Sequence, residues 1–280
     1  YQHFKDLNIN LVIKDRSALS PKEIDVYFPN HKLGIEINGG YWHSEQFKPN
    51  KYQHLDKLLL AQNADIELWQ FWDWEVDHHW ELILSKIKHK MGLSSKVFAR
   101  KLSLAPVDST TKSAFLEVNH LQGDCPSKVN IGLFNDQNEL LMLGTFGISR
   151  FAKKHNWELL RLASKQGLSV VGGASKIINC FVKNNMQINE TLISYSHRRF
   201  GNGGVYSKIG FSVERITDPG YIYVKAGKFA GSRNQWQKHM LKNKLTIFDP
   251  NLSESANMEL NGYHKAWDCG QIVFAMSKKN

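Results

Sequence analysis

Asp25, Glu36 and Asn38 are the residues whose types and spacing could do chemistry. Ile24, Val26 and Phe28 alternate with Glu23, Asp25 and Tyr27, and Leu33, Ile35 and Ile37 alternate with Gly34, Glu36 and Asn38. Period-two alternation predicts two strands, each with one apolar and one polar face, and Pro29-Asn30-His31 predicts the turn between them. With both polar faces on one side, two carboxylates and an amide converge, and oxygen ligands of this kind suit Mg²⁺. The same pattern also fits the solvated face of an amphipathic hairpin. Gly39-Gly40 ends the second strand and lets the backbone turn sharply, which delivers His43 beside the acids.

These side chains need a scaffold. Lys51 to Ala64 reads as a helix with Leu55, Leu58 and Leu59 on its apolar stripe and Lys51, His54 and Lys57 opposite. His54 and Lys57 are one turn apart and can reach a common point. Ile66 to Trp72 alternates strongly and is aromatic, as a third strand would be. Asp73, Glu75 and Asp77 read as acids favoured at a helix N-terminus, and the helix Val76 to Met91 stops at Gly92. A first domain over residues 1–92 follows. Residues 93–113 read as a linker, made basic by Lys96, Arg100 and Lys101, which could lie along a DNA backbone.

Residues 114–280 form the expected second domain. It opens with a helix, Ala114 to Leu121, and a hairpin, Val129 to Phe134 and Glu139 to Ile148. Then come Trp157 to Leu162, the glycine loop Ser169 to Ala174, a helix Ser175 to Lys183, a strand Thr191 to Tyr195, the phrase Tyr206-Ser207-Lys208-Ile209-Gly210-Phe211, and a last strand Gln271 to Met276.

The 280 residues carry a net charge of +10. Residues 1–100 hold as many acids as bases, so the whole excess lies in the second part. Between Asp218 and Asp249 there is no acid, while Lys225, Lys228, Arg233, Lys238, Lys242 and Lys244 occur with Phe229 and Trp236 interleaved. This is a phosphate-binding composition, and double-stranded DNA is the expected partner. The run Arg233 to Lys244 is helix-compatible, and Arg198-Arg199 before a glycine-rich loop is a second candidate for contact with phosphate or bases. Cys125, Cys180 and Cys269 are too scattered for a disulfide framework or zinc knuckle. No apolar run reaches the length of a membrane span, so the chain reads as soluble and cytoplasmic.

The pattern D-x-Y-x-P followed by E-x-N-G-x-Y-W-H resembles the PD-(D/E)XK nuclease superfamily, and within it the very-short-patch-repair-like endonucleases of phage homing enzymes. The resemblance implies a mixed sheet flanked by helices and a site-specific DNA endonuclease using Mg²⁺ or Mn²⁺, in the host cytoplasm if phage-encoded. Asp25 and Glu36 would hold the metal, with the main-chain oxygen of Ile37 as a further ligand. Asn38 stands where the superfamily has lysine, so His43, His54 or Lys57 would orient the water, protonate the leaving oxygen or neutralise charge. Family members often carry an acid on a helix before the first catalytic strand. The chain opens at Tyr1 in what reads as the end of a helix, so upstream residues are expected.

The order of elements over roughly 129–224, with E-L-L-R-L-A before the glycine loop and V-Y-S-K-I-G-F near the end, resembles the GNAT acetyltransferase fold. That fold implies an α+β domain whose glycine loop holds a pyrophosphate on backbone N–H groups. Here Ser169 replaces the usual Arg or Gln, and acetyl-CoA is not expected. The phrases Phe115 to Gly123 and Phe248 to Leu252 resemble the module that accompanies nuclease domains in phage homing endonucleases. Two alternatives stand beside the endonuclease: a GNAT-type acyltransferase or DNA-modifying enzyme, and a DNA-binding protein with an inactive nuclease domain.

Overall fold

The computed structural model describes residues 4, 9–150 and 154–279 of the chain. The helix end expected in residues 1–10 lies, apart from Phe4, Ile9 and Asn10, outside them. The fold is mixed α/β with four sheets among the described residues, and the chain divides into two compact units. One comprises residues 1–78, 197–202 and 217–271; the other comprises 79–196, 203–216 and 272–280.

The first unit opens with β1 (Val12–Asp15), β2 (Ile24–Phe28) and β3 (Leu33–Asn38), then α1 (Gln53–Asn63), β4 (Glu67–Trp72) and α2 (Asp73–Lys90). The four strands lie in chain order in one sheet. β1, β2 and β3 are antiparallel and β4 is parallel to β3, the sense its α1 crossover requires. Ile24, Leu58, Ala61, Ile66 and Leu68 are all but inaccessible and form the core between this sheet and α1. The alternation expected for β3 is inverted at its end: Glu36 and Asn38 are buried and Ile37 is exposed. β3 is an inner strand with α1 over it, so the polar side chains lie beneath the helix. α2 loses helical dihedrals at His79, where the first unit ends.

The expected linker 93–113 is structured. β5 (Ser95–Phe98) pairs with a later strand, β6 (Ser103–Pro106) closes the edge of a seven-stranded sheet, and α3 (Ser109–Asn119) is N-capped by Asp108. The second unit continues with β7 (Val129–Phe134), β8 (Leu140–Ile148), β9 (Trp157–Ser164), β10 (Leu168–Val171), α4 (Gly173–Asn185), β11 (Thr191–His197), α5 (Gly204–Ile209) and β12 (Ser212–Ile216). A segment of the first unit intervenes: β13 (Tyr221–Lys225), β14 (Lys228–Ser232), α6 (Lys238–Leu241), α7 (Glu254–Leu260) and β15 (Tyr263–Trp267). β16 (Gln271–Ser277) ends the chain.

The large sheet has the order β12-β16-β11-β9-β8-β7-β6, and β9 and β11 are parallel. Its core packs Phe146, Leu159, Leu192 and Phe274 with Ile177, Ile178 and Phe181 of α4. The segment 217–271 does not continue the expected second domain. Its sheet, in the order β14-β13-β15, packs with Trp72 and Trp74 of the first unit through Val224 and Ala266. The helix expected over Arg233 to Lys244 is broken into a 3₁₀ turn, Arg233–Gln235, and the short α6, because Ser232 and Gln235 close a capping box on the turn. Among the described residues, no helix is long and apolar enough to cross a membrane.

Candidate functional site

The hairpin and α1 bring Asp25, Glu36 and Lys57 together. The Ile37 N–H donates to Asp25 Oδ2 at 2.8 Å, and the Asp25 N–H donates to Glu36 Oε1 at 3.3 Å. The Lys57 ammonium lies 2.5 Å from Glu36 Oε2. Burial pushes the Glu36 carboxyl up to about 7, against the Lys57 charge that favours ionisation; the neighbouring Asp25 adds to the rise.

One turn back on α1, His54 Nδ1 lies 3.1 Å from Gln70 Oε1, and Gln70 Nε2 donates to the His54 carbonyl at 2.9 Å. Asn38 Nδ2 donates to Gln70 Oε1 at 3.4 Å, so the amide of β3 belongs to this second group. The His43 and His54 rings stack with centroids 5.0 Å apart. Burial lowers both imidazoles, His43 to about 4 with the Lys48 and Lys57 charges helping, and His54 to about 3 with His43 helping. Both are neutral at pH 7. Among the described residues, no group of three or more His, Cys, Asp or Glu converges as metal ligands would.

Of the basic residues singled out, Arg199 is the one that the structure removes from any phosphate. It is buried, with Nη1 and Nη2 each 2.9 Å from the Glu75 carboxylate, Nη1 2.9 Å from the Gln70 carbonyl, and the guanidinium 4.6 Å from the Phe200 ring centroid. Arg198 Nη1 donates to the Cys269 carbonyl at 3.3 Å. Arg100 and Lys101 are exposed on the 3₁₀ turn after β5, with the Arg100 guanidinium over Phe98. Lys225, Lys228, Arg233, Lys238, Lys242 and Lys244 are exposed on the segment carrying β13 to α7.

The second unit holds a constellation the sequence did not single out. β9 and β11 are paired over Trp157–Leu159 and Leu192–Ser194, whereas β9 runs on to Ser164 and β11 to His197. At the last pair, Ser194 Oγ donates to the Leu159 carbonyl at 3.3 Å and lies 3.1 Å from the Tyr206 hydroxyl. The Tyr206 ring stacks on Phe274, 4.9 Å away, and burial pushes its phenol up. Leu159 faces the α4 core, so Glu158 projects from the other face of β9, where it is buried and its Oε2 accepts from the Arg150 N–H at 3.4 Å. Beside these strands, Gly172 at φ +76° caps α4 with no side-chain cap, and only the Ala99 Cβ, at 3.9 Å, approaches the place a Gly172 side chain would take. The phrase Tyr206 to Phe211 and the glycine loop were the available signals; the pairing with Ser194 spans two elements and has no spacing rule.

No family model and no curated protein matches the chain. Solved structures do. One protein assigned as an acetyltransferase, from Acinetobacter baylyi, is 11% identical at a TM-score of 0.31, over 54% of this chain and 63% of its own. A protein assigned as a phosphinothricin N-acetyltransferase is 11% identical at 0.36, over 64% and 99%. The histone acetyltransferase HPA2 and related acetyltransferase of Corynebacterium glutamicum is 9% identical at 0.37, over 64% and 98%. These likenesses are remote and carry neither substrate nor activity. All three are described as acetyltransferases, and the expectation of a DNA endonuclease and phosphodiester hydrolase is corrected against them.

Proposed function

We propose that the second unit is an acyltransferase that moves an acyl group from a thioester cofactor such as acetyl-CoA to an amine. The observation that carries this reading is the divergence of the parallel strands β9 and β11 at a pair of hydroxyls, those of buried Ser194 and half-buried Tyr206, in a unit whose α4 has a glycine-capped N-terminus.

A thioester cofactor with a pyrophosphate fits these residues. The first N–H groups of α4 have no intrahelical partners and carry the positive end of the helix dipole. Gly172 adopts a left-handed backbone that other residues resist, with only the Ala99 Cβ in ordinary contact with the place its side chain would take. With no basic side chain in Ser169 to Ser175, the anion contacts would come from backbone alone. When bound, the cofactor supplies the activated acyl group.

The chain supplies the proton traffic. Tyr206, held protonated by burial and placed by Ser194, would give a proton to the departing sulfur. Glu158, on the opposite face of β9, would take one from the attacking amine.

Calorimetric titration with acetyl-CoA tests the reading. Binding is expected in the micromolar range, and Tyr206→Phe is expected to keep it while acetylation of an amine panel falls about 10²-fold or more. No heat of binding at millimolar acetyl-CoA would overturn the proposal.

A further inference from the structure

Three basic residues of the segment carrying β13 to α7 lie over aromatic rings, and one of them, Lys244, also donates to the Gln235 carbonyl. Lys225 Nζ lies 4.5 Å from the Tyr263 ring centroid, Arg233 Cζ lies 5.5 Å from Tyr221, and Lys244 Nζ lies 5.2 Å from Trp236. Each is a weak cation–π interaction. It restrains a long side chain without cancelling its charge, as a carboxylate would. All three cations are exposed, and among the described residues neither they nor Lys228, Lys238 and Lys242 are ion-paired.

The acids of this segment accept hydrogen bonds of their own, Glu254 from the Tyr221 over which Arg233 lies and Glu259 from Ser255 Oγ at 3.4 Å. Glu254 Oε1 accepts from the hydroxyls of Tyr221 and Tyr223 at 3.1 and 3.0 Å, and Asp249 Oδ1 accepts from the Asn251 N–H at 2.8 Å. What remains is a set of pre-positioned cations on one small folded element, with Phe229 49% exposed beside Lys228 and its ring stacked on Trp74. Rigid, uncompensated cations match a ligand with closely and regularly spaced negative charges, and an exposed aromatic ring among them fits sugar and base edges.

We propose that this face binds the phosphate backbone of double-stranded DNA, with Lys225, Arg233 and Lys244 as phosphate contacts held in place by Tyr263, Tyr221 and Trp236. Duplex DNA presents one charge about every 1.7 Å of its axis. The rings are occupied by their own cations, so the contacts read charge and spacing, and affinity varies little with sequence. This surface is independent of the acyl-transfer reading and stands or falls separately from it.

The test is fluorescence anisotropy with a labelled duplex across a salt series, using the full chain. Each phosphate contact contributes about 0.9 to the slope of log affinity against log salt. Replacing Lys225, Arg233 and Lys244 together by Gln is therefore expected to make the slope shallower by about 2.7 and to weaken binding roughly 100-fold at 150 mM salt. The control replaces three exposed lysines of the other unit, Lys128, Lys183 and Lys208, by Gln, and is expected to change affinity less than threefold. Lys225→Arg with Lys244→Arg keeps both charges and is expected to keep binding. Three results would each overturn the proposal: no binding by the unaltered chain at low salt, equal losses in the two triple variants, or binding to heparin or polyglutamate as tight as to DNA.

Discussion

Replacing Arg199 by Met should destabilise the first unit strongly, and in a pH-dependent way. The guanidinium makes two 2.9 Å contacts to Glu75 and a third to the Gln70 carbonyl, in a site where the Arg and Glu side chains are 8% and 15% exposed. Removing one partner of a buried pair leaves the other charge without compensation, which costs about 3–5 kcal/mol. Burial alone would push the Glu75 carboxyl up; the Arg199 charge and hydrogen bonds, with the Trp72 N–H, hold it below its ordinary value.

The sign follows from that depression. In the unaltered protein Glu75 contributes stability above the unfolded carboxyl pKa, and this is lost as pH falls through the folded value. In Arg199→Met the depression is gone, burial dominates, and protonating Glu75 relieves the strain. The difference between the two proteins should be about 3–5 kcal/mol at pH 7 and should narrow towards pH 4. Urea denaturation followed by tryptophan fluorescence reads this directly, since the Trp72 backbone N–H donates to Glu75 and its ring lies 5.9 Å from the guanidinium. Adding Glu75→Gln to Arg199→Met should recover much of the loss. A loss below about 1 kcal/mol, typical of exposed pairs, or one that does not change with pH, would refute the reasoning.

Two further outcomes follow from the hairpin cluster. Glu36 has its carboxyl raised to about 7 from an ordinary 4.5, so it contributes stability at low pH that is lost as pH rises through 7; Glu36→Gln should be nearly neutral at pH 5 and stabilising by about 3 kcal/mol at pH 9, measured by the same denaturation series, and an unchanged difference across that range would refute the assignment. The oxygen ligands Asp25 and Glu36 also leave Mg²⁺ or Mn²⁺ as a proposal: millimolar Mn²⁺ should raise the melting temperature of the unaltered chain and not of Asp25→Ala, and equal shifts in both would remove a metal from this site.

The sequence by itself determined much that is local. Alternation in Ile24 to Phe28 and Ile66 to Trp72 and the Leu55-Leu58-Leu59 stripe led to β2, β4 and α1 within a few residues, because each pattern is written over one element, although Leu59 of that stripe is exposed and His54, expected opposite it, is buried. The glycine loop before α4 and the hairpin β7–β8 were legible for the same reason. So was the meeting of Asp25 and Glu36, since β2 and β3 are neighbours in the chain.

Only the tertiary structure decided what depends on distant partners. Arg199 reads in sequence as a candidate for contact with phosphate or bases before a glycine loop, yet Glu75, 124 residues away, pairs with it and the pair is buried. Residues 217–271 look like a continuation of the chain's second half, but their sheet finds its apolar partner in Trp72 and Trp74 and so folds with the first unit. Residues 93–113 have the composition of a linker and become strands because β7 and β10 offer them unpaired edges. Ser194 meets Tyr206 because one lies on a strand and the other on a helix folded against it. Hydrogen bonds and apolar burial are satisfied between elements as readily as within them, and the periodicity of a single element carries no record of which other element will complete it.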